Sequence, residues 1–166
     1  MPRWPNGATR ANIGRMYTTI VVGTDGSDSA AKAVSQAAEL AEAGGGTLHI
    51  VHAYQSMNVG LLAMNATSGG PTIDIEGVNA SISNTADAVC ARAAEAVKRD
   101  GMNVETHTVP GDPCDALISV AEQVHADLLV VGNRGMTGMK RFMLGSVPNK
   151  ISHHAPCSVL IAETGA

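Results

Sequence analysis

The chain has 166 residues, of which 45% are hydrophobic, and a formal net charge of −4 at pH 7. This length suits one domain with a real apolar core. An acidic balance and only one Trp, two Tyr and one Phe argue against a nucleic-acid-binding surface, which usually offers a basic stripe and aromatic stacking platforms. Three widely spaced cysteines predict neither a disulfide framework nor a zinc site.

The first residues differ in composition from the rest of the chain. Residues 1–16 contain arginines, prolines and glycines but no acidic residue, and they lack an apolar signal-peptide core. We therefore expect a flexible N-terminal extension over residues 1–16, followed by one domain over residues 17–166. The sequence has no apolar run long enough for a membrane span, and we expect a cytoplasmic protein.

The first half of this domain alternates apolar runs with segments of helical period. Residues 18–24 are β-branched and apolar, which predicts a buried strand. Ser27 lies in a capping cluster before a helix that ends at the glycines of residues 44–46. Residues 47–53 predict a second strand, and a loop follows over residues 55–77.

The second half repeats the alternation. Apolar residues at helical spacing from Val78 to Val97 predict a second helix, and residues 103–109 predict a strand with one exposed face. Asp112-Pro113 is typical of a helix start. A third helix, the apolar strand at residues 127–131, a short helix and the strand Ser158–Ala162 complete the chain. This order predicts an α/β fold, a Rossmann-like doubly wound parallel sheet with helices on both faces.

Ligands of such sheets bind at the carboxyl ends of the strands. The segment after residue 131 reads Gly132-Asn133-Arg134-Gly135, then nine residues, then Gly145-Ser146. Glycines let backbone N–H groups approach phosphate oxygens, and we expect Ser146 to cap the next helix, whose N-terminus attracts anions. The segment thus favours phosphate binding, although its spacing matches neither the P-loop nor the dinucleotide fingerprint.

Three ordered segments resemble the universal stress protein family over residues 17–163. They are the first strand and its turn, at residues 20–27, the glycine segment with its Gly-x2-Gly-x9-Gly-Ser signature, and the last strand. The resemblance implies five parallel strands and a homodimer that pairs through Ser158–Ala162. It implies an adenine nucleotide ligand, with ATP first and AMP or cyclic AMP as alternatives, and Mg²⁺ accompanying ATP.

The resemblance also implies site residues. Asp25 and its neighbour would lie near the adenosine, Ala53 near the adenine edge, and the glycine segment around the ribose and phosphates. The full predicted set is Thr24, Asp25, Ala53, Val131, Gly132, Asn133, Arg134, Gly135, Gly145, Ser146 and Val147. Pro148 stands where some ATP-binding members have a hydroxyl residue, which leaves the preference among ATP, AMP and cyclic AMP open.

Three functions are compatible with these features: a nucleotide-binding stress-response regulator, a slow ATP hydrolase or adenylyl-transferring relative, and an interaction module with a vestigial site. Hydrolysis needs a base and a charge stabiliser, and Asp25 is the only strong carboxylate candidate. Asp25 itself has a second interpretation, as a plain cap of the first helix. We therefore predict binding rather than catalysis. His49 and His52 point to opposite faces of their strand, so no shared metal site is predicted.

Overall fold

The computed structural model describes residues 17–57, 74–133 and 145–164. The predicted flexible extension at residues 1–16 lies outside these residues. In chain order the elements are β1 (Thr19–Gly23), α1 (Asp28–Gly44), β2 (Thr47–Tyr54), α2 (Ile75–Val97), β3 (Asn103–Pro110), α3 (Pro113–Gln123), β4 (Leu128–Gly132), α4 (Ser146–His154) and β5 (Ser158–Ala162).

The five strands form one sheet in the order β3-β2-β1-β4-β5, and all neighbouring pairs are parallel. The predicted fold class is therefore confirmed. The chain moves outward from β1 through β2 to β3, then crosses to β4 and continues to β5. Strand order thus reverses between β1 and β4, and a crevice opens beyond the carboxyl ends of strands at such a switch point.

The sheet is buried between two helical layers. One face packs against α1 and α2, where the fully buried residues Ala33, Ala37, Ala38 and Ala41 let α1 lie close to the strands. The other face packs against α3 and α4 around Val21, Leu129 and Ile151. Small and aliphatic side chains fill the core because helices on a parallel sheet must approach it closely. In the described part of the chain, no helix is long and apolar enough to cross a membrane.

Helix ends follow the predicted capping at α1 and α3. The Ser27 hydroxyl accepts a hydrogen bond from the backbone N–H of Ala30, and Asp112 caps α3 ahead of Pro113. Gly45 ends α1 in the left-handed conformation at φ 64°.

Two predicted boundaries were wrong. The loop predicted to reach Gly77 ends earlier, because the Asp74 carboxylate accepts from the N–H of Gly77 and starts α2 at Ile75. Ser146 is not the cap of α4: Gly145 occupies the N-cap position with φ −59° and ψ 162°, and Ser146 is the first helical residue.

The turn after α1 offers a test of close backbone packing. At Gly46 an added Cβ would overlap the backbone carbonyl of Thr18, which already accepts a hydrogen bond from Thr47 N–H at 2.8 Å. We expect Gly46→Ala to lower the free energy of unfolding by about 3 kcal/mol or more, because β1 must shift. The neighbouring Gly45→Ala meets no atom within 4 Å. It should lose only about 1 kcal/mol for its left-handed backbone. Urea unfolding of both variants measures the difference, and equal losses would contradict the packing argument.

Candidate functional site

A cavity of about 400 Å³ opens at the carboxyl ends of β1, β2 and β4. Its position is the switch point of the sheet, where open α/β sheets bind ligands. Its lining is mostly apolar, with a few polar groups among the lining residues. The lining residues are Gly23, Thr24, Asp25, Ala30, Val51, His52, Ala53, Pro113, Leu117, Val131, Gly132, Asn133, Gly145, Ser146, Val147 and Pro148. We call this cavity the switch-point cleft.

Sequence reasoning named most of this lining. Three regions of the predicted set meet here, although they are far apart in the chain: the end of β1, Ala53 on β2, and residues 131–133 with residues 145–147. The predicted residues that line the cleft are Thr24, Asp25, Ala53, Val131, Gly132, Asn133, Gly145, Ser146 and Val147. Arg134 and Gly135 lie outside the described residues. Contact of any of these residues with a nucleotide stays a prediction.

A hydrogen-bonded network forms the β1 end of the cleft. Thr24 is buried, and its backbone N–H donates to Val51 O at 2.9 Å. Its hydroxyl oxygen accepts a hydrogen bond from the backbone N–H of Gly26 at 3.2 Å. The Thr24 carbonyl lies 2.8 Å from His52 Nδ1. Because a carbonyl can only accept, Nδ1 carries the proton of this hydrogen bond. The backbone at this end of the cleft is therefore fixed from both β1 and β2.

The carboxylate of Asp25 is oriented by its own turn. Asp25 Oδ1 accepts from Ser27 N–H at 3.0 Å and from the Ser27 hydroxyl at 2.5 Å. Ser27 is the cap of α1, so the alternative interpretation of Asp25 as the plain helix cap is wrong. Asp25 instead holds the capping serine in place and lines the cleft with a half-buried carboxylate.

The opposite end of the cleft is the N-terminus of α4. Gly145, Ser146, Val147 and Pro148 all line the cavity there. The first N–H groups of a helix have no partner within the helix, and the helix dipole adds positive potential. Pro148 is buried in the first turn and has no N–H, so this end offers fewer donors than most helix starts. The geometry suits a small anionic group.

Asn133 has a structural role that sequence reasoning did not foresee. Its side-chain Oδ1 accepts from Thr164 N–H at 3.1 Å and from the Thr164 hydroxyl at 2.8 Å, and its own N–H donates to Ala162 O at 2.9 Å. Thr164 is buried. Asn133 therefore fastens the chain after β5 to the end of β4, next to the cleft.

Seven lining residues were missing from the predicted set. They are Gly23, Ala30, Val51, His52, Pro113, Leu117 and Pro148. Most come from elements whose distance from the glycine segment depends on strand order, and their apolar side chains carry no chemical signal in the sequence. His52 offered a usable signal, because it directly precedes Ala53 at the end of the same strand.

A charged cluster joins the two helices beside the cleft. Lys150 Nζ on α4 lies 3.1 Å from Asp112 Oδ1 and 2.9 Å from Asp115 Oδ1 at the start of α3. The hydrogen bond from Lys150 lowers the pKa of Asp112, and the two carboxylates raise the pKa of Lys150. The three side chains are largely exposed, so the cluster holds the relative position of α3 and α4 more than it stabilises the fold.

The fold and cleft together define a doubly wound α/β protein with a cavity at its switch point. The chain belongs to the universal stress protein family, whose sequence profile matches residues 16–163. It is 37% identical over 151 residues to universal stress protein Rv1636 of Mycobacterium tuberculosis, a match that covers 89% of this chain and 97% of that protein.

Solved structures agree with this membership. A universal stress protein crystallised in complex with cAMP is 33% identical, with a TM-score of 0.59, and the match covers 90% of this chain and 99% of that one. Universal stress protein UspA from Lactobacillus plantarum has a TM-score of 0.72 at 23% identity, covering 89% of this chain and 98% of that one. The latter likeness shows the fold.

Replacing Lys150 tests the cluster beside the cleft through its pH dependence. The pKa of Asp112 is lowered in the folded chain, so its interaction stabilises the fold above the unfolded pKa of about 3.9 and is lost as pH falls through the folded pKa. We expect Lys150→Met to melt below wild type at about pH 7 and the gap to shrink towards about pH 2. Thermal melts across this range measure the gap.

Lys98→Met is the control for that experiment, because Lys98 forms only an exposed pair with Glu95 on α2. It should leave the melting temperature close to wild type at each pH. A gap for Lys150→Met that stays constant with pH would show that the Asp112 carboxylate is not the partner that matters.

Proposed function

We propose that this protein binds an adenine nucleotide in the switch-point cleft and acts as a ligand-linked regulator in the stress response. The base and ribose lie between the ends of β1, β2 and β4, with Asp25 accepting from ribose hydroxyls. The phosphate lies at the N-terminus of α4. Arg134 and Gly135 belong to the same predicted contact set.

The meeting of two features in one cavity carries this proposal. An apolar slot at the ends of parallel strands leads to the N-terminus of a helix, so a flat ring system and an anion are both accommodated. A volume of about 400 Å³ lies within the range of roughly 300–1,000 Å³ typical of small-molecule sites. Nine of the residues that line it belong to the set predicted to contact the nucleotide.

ATP, with Mg²⁺, is the first candidate from the sequence resemblance. Cyclic AMP is the second, and two observations favour it. Pro148 has no backbone N–H, so the helix end that would receive phosphates has one donor fewer. Pro148 also has no hydroxyl to offer to a metal ion. The relative crystallised with cAMP is 33% identical over nearly all of its chain. AMP is the remaining candidate, and direct competition among the three ligands decides between them.

The sheet has two edges of different character, and this difference supports a homodimer through β5. The β3 edge carries polar residues and ends in Pro110, features that discourage pairing with another strand. The β5 edge carries the half-exposed Val159, Leu160 and Ile161. An apolar edge strand with unpaired backbone groups invites a second copy of the same strand.

The cleft and this edge are connected through β4. Gly132 lines the cleft and pairs with Ala162 at the end of β5, and Asn133 holds Thr164 just beyond it. A ligand that orders the end of β4 therefore also orders β5, the edge strand that would pair with a second copy of the chain. Such coupling makes dimer formation depend on nucleotide, which is the regulatory link we propose.

Thermal melting with ATP, AMP and cyclic AMP tests nucleotide binding directly. A ligand at 100 times its dissociation constant adds about 2.7 kcal/mol, a shift of several degrees for a domain of this size. Asp25→Asn should weaken binding about tenfold or more, because a hydrogen bond to a charged group is worth about 1.5–3 kcal/mol. An asparagine oxygen still accepts from Ser27, so the turn is kept.

The matched control is Asp28→Asn, which removes the same charge from the exposed first turn of α1. It should bind as wild type does. The proposal fails if none of the three nucleotides shifts the melting temperature of wild type, or if the two variants lose affinity equally. Native mass spectrometry of the protein as purified from cells identifies the ligand and the oligomeric state together.

Leu160→Lys tests the dimer. Leu160 is the central residue of β5, so two-fold pairing brings the two copies of this residue together, and two lysines repel. We expect a monomer in sedimentation velocity at concentrations where wild type is dimeric. The matched control, Thr106→Lys, places the same charge on the exposed β3 edge and should remain dimeric. A monomeric wild type, or equal dissociation of both variants, would exclude β5 as the interface.

A further inference from the structure

Three metal-ligating side chains meet on the sheet face that packs against α3 and α4. They are His49 on β2 and Glu105 and His107 on β3. Parallel register pairs His49 with Glu105 and Val51 with His107, so the three residues occupy alternate positions of adjacent strands on one face. Their candidate ligand atoms lie within 4.8 Å of one another. We call this group the β2–β3 triad.

The distances match those of a metal site. His49 Nδ1 lies 3.1 Å from His107 Nε2 and 3.5 Å from Glu105 Oε2. Tetrahedral ligands bound to Zn²⁺ at about 2.0–2.1 Å are about 3.3 Å apart, and the two observed separations bracket that value. The third distance joins the Glu105 carboxylate to His107 Nε2. The Glu105 side chain is 52% exposed and is free to rotate towards His107 when an ion binds.

The surroundings hold these side chains in place. Asn103 Nδ2 donates to Glu105 Oε1 at 3.4 Å and to Thr47 Oγ1 at 3.3 Å, so the carboxylate is oriented with Oε2 towards His49. Outer hydrogen bonds of this kind support metal ligands. The His49 side chain is 7% exposed, and burial lowers its pKa despite the opposing effect of Glu105.

We propose that the β2–β3 triad binds Zn²⁺ or a closely similar divalent transition-metal ion through His49 Nδ1, His107 Nε2 and Glu105 Oε2. Two imidazoles and one carboxylate are a ligand set suited to zinc, and they leave a fourth position open on the exposed side of Glu105. The ion joins the edge strand β3 to its neighbour β2.

None of the three triad residues lines the switch-point cleft. The lining residue nearest to His49 along β2 is Val51, two positions on, roughly 7 Å at the rise of a β-strand. The two proposals are therefore tested independently, and either one can fail while the other holds.

The experiment uses the full chain without an affinity tag, stripped with chelator and titrated with Zn²⁺ by calorimetry and with Co²⁺ by visible absorption. We expect one Zn²⁺ per chain, a higher melting temperature with metal, and Co²⁺ absorption bands typical of tetrahedral coordination. Loss of a hydrogen-bond partner in the outer shell typically weakens metal binding about 10–100-fold. Glu105 and His107 are proposed as direct ligands, so Glu105→Gln and His107→Gln should each weaken Zn²⁺ binding by at least about tenfold.

Glu105→Gln is the decisive variant, because an exposed side chain on an edge strand is replaced without disturbing the core. It should keep the melting temperature of the metal-free protein and its response to nucleotides. His154→Gln, at the exposed end of α4, removes one imidazole elsewhere and should bind Zn²⁺ as wild type does. Absence of stoichiometric Zn²⁺ binding by wild type, or equal affinities of wild type and both triad variants, would overturn the assignment.

Discussion

The parallel pairing of β1 with β4 is the contact on which the remaining structure depends. Ile20, Val21 and Val22 are completely buried and pair with Leu128, Leu129 and Val130 at the centre of the sheet. Because β2 and β5 lie on opposite outer sides of this pair, strand order reverses here and the ends of β1 and β4 border a crevice. Burial of the central strands thus creates the cleft as well as the core.

Polar contacts hold the walls of the cleft in place. Asp25 orients the cap of α1, Asn133 fastens the chain beyond β5, and Lys150 joins α4 to the start of α3. Each contact secures one element that borders the cavity. These polar contacts preform the cavity, which lowers the conformational cost of the nucleotide binding that we propose.

The two edges of the sheet have different compositions. Polar and charged side chains predominate on β3, and two of them, Glu105 and His107, meet His49 of β2 on one face of the sheet. The β5 edge is largely apolar instead. The metal site and the dimer surface that we propose therefore lie at opposite edges of the sheet, and the cleft lies between them at the strand ends.

Local sequence determined the order and type of the elements, because apolar periodicity and capping residues act over a few positions. Ser27, Gly45 and Asp112 marked helix ends correctly, and the glycine segment indicated the end of the sheet at which the cleft lies. The exact capping residue was harder to predict: Ser146, the predicted cap of α4, lies one position past the N-cap. Tertiary structure alone decided which distant side chains meet. Along its own strand His49 has only His52 as a histidine neighbour, whereas the register with β3 brings it to Glu105 and His107. The apolar pattern of a strand decides which of its faces is buried. It does not decide which distant strand lies beside it, and packing of the whole core makes that choice.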